Sequence, residues 1–173
     1  MMPVESMPSR PRVRAIFAAV VSSRTGALRA DAALVAARVV LAWIFIYYGA
    51  GKLFGAFHGL GLHREALYFA NTAHLHPGGF FAVLGGVLEF GGGIAVALGV
   101  GSRLVGLALF GDMVMAMITV TWTTGLNSTT APPGYQLNLA VGVLALVIAV
   151  FGAGRFSLDA LAERRFVAAM PEQ

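Results

Sequence analysis

The stretch GFFAVLGGVLEFGGGIAVALGVGSRLVGLALFGDMVMAMITVTW, residues 79–122, decides how this chain folds. It holds two apolar runs, Gly79–Val100 and Leu104–Trp122, joined by only Gly101-Ser102-Arg103. A helix that crosses a bilayer needs about 20 mostly apolar residues. So short a link makes the two helices antiparallel neighbours. Each run contains one carboxylate. Glu89 lies twelve residues before Gly101, and Asp112 lies eleven after it. At about 1.5 Å per residue, both carboxyls are expected near the membrane midplane at similar depth.

Two more runs qualify as spans. Ala33–Phe54 precedes the hairpin, and the shorter Gln136–Phe151 follows it. The expected fold is an all-α, four-transmembrane-helix bundle. Composition agrees: 58% of the 173 residues are hydrophobic and 12% are charged. Soluble domains carry about 25% charged residues, and the mean hydropathy is +0.78. A chain this small cannot hide so much apolar surface in one water-soluble core. The solvent is therefore lipid, and the net charge of +4 is read as a signal of orientation, not of nucleic-acid binding.

Residues 1–31 form a basic segment without a convincing secretory signal. Within it, Arg14 to Arg29 is either a short interfacial helix or a disordered tail. Residues 32–155 form the membrane domain. Residues 156–173 form a short C-terminal helix or tail, with Ser157 placed to cap it and Asp159 in its first turn. The link from Gly55 to Gly78 is long enough to contain a helix near His63 to Ala73, and Thr123 to Tyr135 reads as a loop.

Basic residues collect in cytoplasmic segments of membrane proteins. Arg10, Arg12, Arg14, Arg24, Arg29, Arg38, Arg103, Arg155, Arg164 and Arg165 fall on one side of a four-span topology. Lys52 and Arg64 fall on the other. Both termini are expected in the cytoplasm, with the chain in the inner (plasma) membrane.

Ionisable groups inside spans are costly, and each is a site hypothesis. Two carboxylates close together in a low dielectric share a proton or need a cation. The cation nearest in depth is Lys52, at the outer end of span one. Tyr48 lies one turn below it, and Asn138 enters from the outer end of span four. Lys52, Glu89, Asp112, Tyr48 and Asn138 are therefore the expected intramembrane polar site. The bland alternative is that both acids are hydrogen-bonding glue and Lys52 is an interface anchor.

Other features carry less chemistry. Span two is rich in glycine, and Gly91/Ala95/Gly99 and Gly93/Ala97/Gly101 are small-residue rows expected to let helices approach. Span two is thus expected to be the central helix. His58, His63, His74 and His76 all fall in the first outer loop, where they read as surface groups and no metal site is assigned. Met113, Met115 and Met117 spread around a helix and read as filler. The chain has no Cys, so thiolate chemistry and Cys-ligated metals are excluded within it. No intrinsic cofactor is expected.

At these residues the chain resembles the DoxX family of small four-span membrane proteins. Arg38 opens a helix that ends Tyr48-Gly49-Ala50-Gly51-Lys52-Leu53. Leu88-Glu89 is followed by glycines and Leu98-Gly99, then Gly101-Ser102-Arg103. The run Gly152-Ala153-Gly154-Arg155-Phe156-Ser157-Leu158-Asp159 closes the match. The resemblance covers about residues 34 to 160, and carries Lys52, Glu89 and Arg155 over as family-like. Asp112 has no secure place in the pattern.

The resemblance implies a membrane subunit associated with quinone-linked or other redox enzymes, with quinone as the ligand and redox enzymes as partners. Fold is a better inference from family than reaction. Two other functions stand beside it: a non-catalytic scaffold or assembly factor, and transport of protons or small molecules by a homo-oligomer.

Overall fold

A computed structural model describes residues 27–127, 129 and 131–168. The chain divides into two units, Met1–Ala30 and Asp31–Gln173. Of the first, only the opening turn of a helix is described. The interfacial helix or tail expected over Arg14 to Arg29 lies almost wholly outside the described residues.

Helix α1 spans Ala27–Phe54, and a 3-10 turn follows at Ala56–His58. Helix α2 covers Gly61–Asn71 and α3 covers Gly78–Leu98. Helix α4 runs over Ser102–Ala116, then through a π-helical turn at Met117–Thr121 and a 3-10 turn at Trp122–Thr124. Helix α5 covers Gln136–Phe151 and α6 covers Leu158–Ala168. No strand occurs among the described residues. The all-helical fold expected from the sequence is thus borne out.

Three helices, Arg29–Phe54, Gly78–Leu98 and Ser102–Thr124, are long and apolar enough to cross a membrane. Helix α5 is equally apolar but has 16 residues, roughly 24 Å at the helical rise. The side chains face as lipid requires. Val39, Trp43, Phe80, Leu84, Leu104 and Ile118 are exposed. Leu41, Phe45, Val96, Leu109, Val141, Ala145 and Ile148 form the interior.

Helix α3 is central, as its glycines imply, but the approach row differs from the one expected. Its buried residues Gly78, Ala82, Gly85, Glu89, Gly92 and Val96 alternate in steps of four and three, the seam of a helix packed along its length. Gly86 lies under Leu53, Gly92 under Leu109, and Gly93 under Ile46. In contrast, a Cβ on Gly91 or Gly101 would meet nothing within 4 Å. The rows Gly91/Ala95/Gly99 and Gly93/Ala97/Gly101 are therefore packed only in part: Gly93 and Gly99 are buried, Gly91 and Gly101 are open. Spacing of four alone drifts around a helix; the straighter seam alternates four and three. Glu89 sits at the centre of that seam, with glycine at i−4, i−3, i+3 and i+4.

Helix α5 packs on α4 through Gly106, whose added Cβ would lie 2.8 Å from the Ala149 nitrogen. Gly142 faces Met113 from the other direction.

At the hairpin end, Arg38 is buried and does more than mark topology. Its guanidinium donates to the carbonyls of Val96 (2.8 Å) and Ala97 (2.6 Å). It also donates to Ala153 (3.0 Å) and Phe156 (2.8 Å). Two of these are last-turn carbonyls of α3, where helical carbonyls run out of partners; that of Val96 also accepts the Gly99 N–H (3.1 Å). The other two belong to the segment after α5. Gly99, at φ +71, makes room: a Cβ there would lie 2.7 Å from Arg38 Nη2.

Beyond it, Asp159 accepts the Gly101 N–H (2.9 Å) and the Ser102 N–H (3.1 Å), capping α4 from outside. Ser157 Oγ accepts the Ala160 N–H (3.1 Å), so the serine caps α6.

Candidate functional site

Helix α1 ends with Lys52 turned inward, where Gly86 leaves space beside it: an added Cβ there would lie 3.6 Å from Lys52 Cβ. Its ammonium lies 2.7 Å from Glu89 Oε1. Glu89 is 2% exposed and is the twelfth residue of α3. Asp112, eleventh in α4, lies within electrostatic reach of both Lys52 and Glu89. The hairpin thus sets the two acids side by side.

These three groups border a cavity of roughly 450 Å³ between α1, α2, α3, α4 and α5. Tyr48 and Asn138 border it as well, so all five residues expected from the sequence line one space. Ile44, Phe45, Leu137 and Val141 give it an apolar wall. Pro133 and Gly134, from the loop before α5, border it at the end away from the hairpin. That loop is held by Trp122 stacked on Tyr135, with ring centroids 5.4 Å apart.

Helix α2 brings residues that the sequence reading missed. Glu65, Tyr68 and Phe69 line the same cavity. Glu65 is only 6% exposed, and Lys52 Nζ lies 5.8 Å from the centre of the Phe69 ring. The signal was present. Leu62, Glu65 and Phe69 share one face of an amphipathic helix, while His63 and Arg64 lie on another. The acid sits in an otherwise apolar stripe.

The π-helical turn was also missed. Turns of this kind are frequent at functional sites. Here it brings Thr119 and Thr121 to the cavity wall.

The site is rich in acceptors. One ammonium faces the carboxyls of Glu89, Asp112 and Glu65. Glu89 Oε2, Asp112 Oδ2 and Thr121 Oγ1 are buried without a hydrogen-bond partner. Buried polar atoms are rarely left unpaired; Glu89 and Asp112 lie within hydrogen-bonding reach of each other, so a proton shared between the two acids satisfies their oxygens. Among the described residues, no group of three or more His, Cys, Asp or Glu side chains is arranged to hold a metal ion.

Glu65 lies outside the spans. Burial pushes its carboxyl above the ordinary value of 4.5, against the opposing pull of Lys52. A raised carboxyl contributes stability that is complete below its unfolded value and is lost as pH rises through the folded one. Glutamine is neutral throughout. Glu65→Gln is therefore expected to flatten the loss of melting temperature that the native chain shows from pH 4.5 upward. Parallel curves for the two proteins would show that Glu65 is solvated and not part of the cavity.

The profile of the DoxX family matches residues 33–122, just over half of the chain. The chain belongs to the DoxX family. The match takes in Lys52, Glu89 and Asp112, and therefore most of the polar cavity of this DoxX protein. The inner membrane protein YqjF of Escherichia coli (strain K12) is 28% identical over 138 residues. That alignment covers 79% of this chain and 96% of the relative. No solved structure matches.

Arg155, the third family-like position, is remote from the cavity. Its N–H donates to Asp31 Oδ1 (3.1 Å), and its side chain is 64% exposed. It helps fasten the chain after α5 to the start of α1.

Proposed function

We propose that this DoxX protein is a membrane subunit that binds a quinone head group in the cavity between its helices and serves a redox enzyme. The observation that carries this reading is the pair of adjacent buried acids, Glu89 and Asp112, with the Lys52 ammonium at the border of an apolar-walled cavity. A quinone is a flat apolar ring with two carbonyl acceptors. Lys52, Tyr48 and Asn138 can donate to the carbonyls. Glu89 and Asp112 can hold a proton near them. The apolar wall suits the ring, and the roughly 450 Å³ volume suits a head group. When bound, the quinone would supply the electron-accepting chemistry, with a partner protein as donor.

Purification in gentle detergent, with mass spectrometry of the extracted lipids and accompanying proteins, tests this. A quinone in near-stoichiometric amount supports the proposal. Soluble enzymes recovered with no quinone would replace it with a scaffold.

We also propose that the hairpin end faces the cytoplasm and that the membrane is the inner one. Arg103, Arg155, Arg164 and Arg165 cluster near that end, whereas Lys52 is engaged in the cavity and Arg64 is the other basic residue beyond the opposite end. A reporter fused after Gln173 is expected to be active only in a cytoplasmic form. Activity confined to the outside would reverse the topology.

A further inference from the structure

A second cavity, of roughly 570 Å³, lies at the hairpin end, far from the Lys52 site. It is formed where α4 begins, α5 ends and α6 folds back across both. Ser102, Arg103, Gly152 and Glu163 border it, with Leu104 and Phe151 at its edge.

The polar groups here divide into used and unused. Asp159 is used, since both its oxygens hold the N–H groups that open α4. Ser102 Oγ is unused: the residue is 1% exposed, and the hydroxyl has no partner. Arg103 is also unused. The ion pairs among the described residues are Lys52–Glu89 and Arg155–Asp31. The Arg103 side chain instead lies along the bare backbone of Gly152, where an added Cβ would come within 3.4 Å of its Nε. Gly152 has φ +79, a conformation that keeps larger residues away. Glu163, on α6, likewise has no cation.

The cavity therefore offers a free guanidinium, Arg103, and a free carboxylate, Glu163, both exposed. Leu104 and Phe151 are 78% and 66% exposed at the ends of their spans, a position that suits contact with lipid tails.

We propose that this cavity binds the head group of a zwitterionic phospholipid, a phosphate diester carrying a primary ammonium. The phosphate sits on Arg103, and guanidinium–phosphate pairs are strong and directional. The ammonium donates to Glu163. The acyl chains run along Leu104 and Phe151. Glu163 disfavours a head group that is only negative. A quaternary choline has no N–H to donate, so it forgoes the Glu163 hydrogen bond.

Native mass spectrometry of the delipidated full chain tests the assignment. The probes are phosphatidylethanolamine, phosphatidylcholine and phosphatidylglycerol with matched chains, plus inorganic phosphate. Phosphatidylethanolamine is expected to be retained best. Glu163→Gln should reduce it to the level of phosphatidylcholine, with melting unchanged because the residue is exposed. Arg103→Ala should weaken both lipids by about tenfold, the scale of one charged hydrogen bond. Should Arg103→Ala fail to fold, the Glu163→Gln comparison decides alone. Tightest retention of phosphatidylglycerol, or an ethanolamine preference that survives Glu163→Gln, overturns the proposal. Displacement of the lipid by equimolar inorganic phosphate would identify a free-anion site instead.

Discussion

Lys52→Met is expected to be among the most destabilising single changes in the chain. Removing one member of a buried ion pair leaves an uncompensated charge and typically costs about 3–5 kcal/mol. Here the cost should fall near the lower end. The Lys52 side chain retains 22% exposure, against 3% for Glu89. Water can therefore reach the lysine side of the pair but not the acid. The double variant Lys52→Met/Glu89→Leu removes both charges and should recover part of the loss. Melting in detergent of the two single variants and the double variant gives the coupling directly. Native-like melting of Lys52→Met would mean that the ammonium points to solvent and that the pair is not a unit.

Gly49→Leu is expected to separate α1 from α3. A Cβ at Gly49 would sit 2.8 Å from Phe90 Cα and closer still to the Phe90 nitrogen. Backbone cannot yield as a flexible side chain can, so the helices must move apart. Overpacking costs about 1–3 kcal/mol even where side chains can adjust, and this site lacks that freedom. The loss should exceed that of Gly93→Leu, where Ile46 can shift in part. Gly91→Ala is the control, because its surroundings are open and melting should not fall. A melting temperature unaltered in Gly49→Leu would show that the α1–α3 contact is looser than described.

The fold was legible because lipid imposes a coarse rule. Twenty apolar residues make a span, and the three-residue link at Gly101-Ser102-Arg103 fixes one antiparallel pair. The depth match of Glu89 and Asp112 follows from that link alone. Azimuth around each helix was harder. The sequence offers several glycine rows, and only packing selects the seam through Gly85, Glu89, Gly92 and Val96 over the open Gly91.

Contacts between distant segments were harder still. Arg38 counted equally well as a topology charge. Its four carbonyl partners come from the end of α3 and the chain after α5, which no local pattern brings together. Glu65 was hidden for a different reason. It lies in a loop region whose histidines drew the chemistry, and its burial depends on α2 folding back onto α3, where Gly78 fits closely against Ala66 and Ala70.

The measurement that bears most directly on the cavity is a quinone titration of native and Glu89→Gln protein, with melting recorded for both. Glutamine keeps the shape and a hydrogen-bonding oxygen for Lys52 but cannot ionise. The native protein is expected to bind a short-chain quinone. The variant should still fold, with a stability loss smaller than that of Lys52→Met because glutamine keeps a hydrogen bond to the partly exposed lysine, yet bind about tenfold more weakly, the scale of one charged hydrogen bond. Equal binding by both proteins, or no binding by the native chain, would contradict a quinone site built on Glu89.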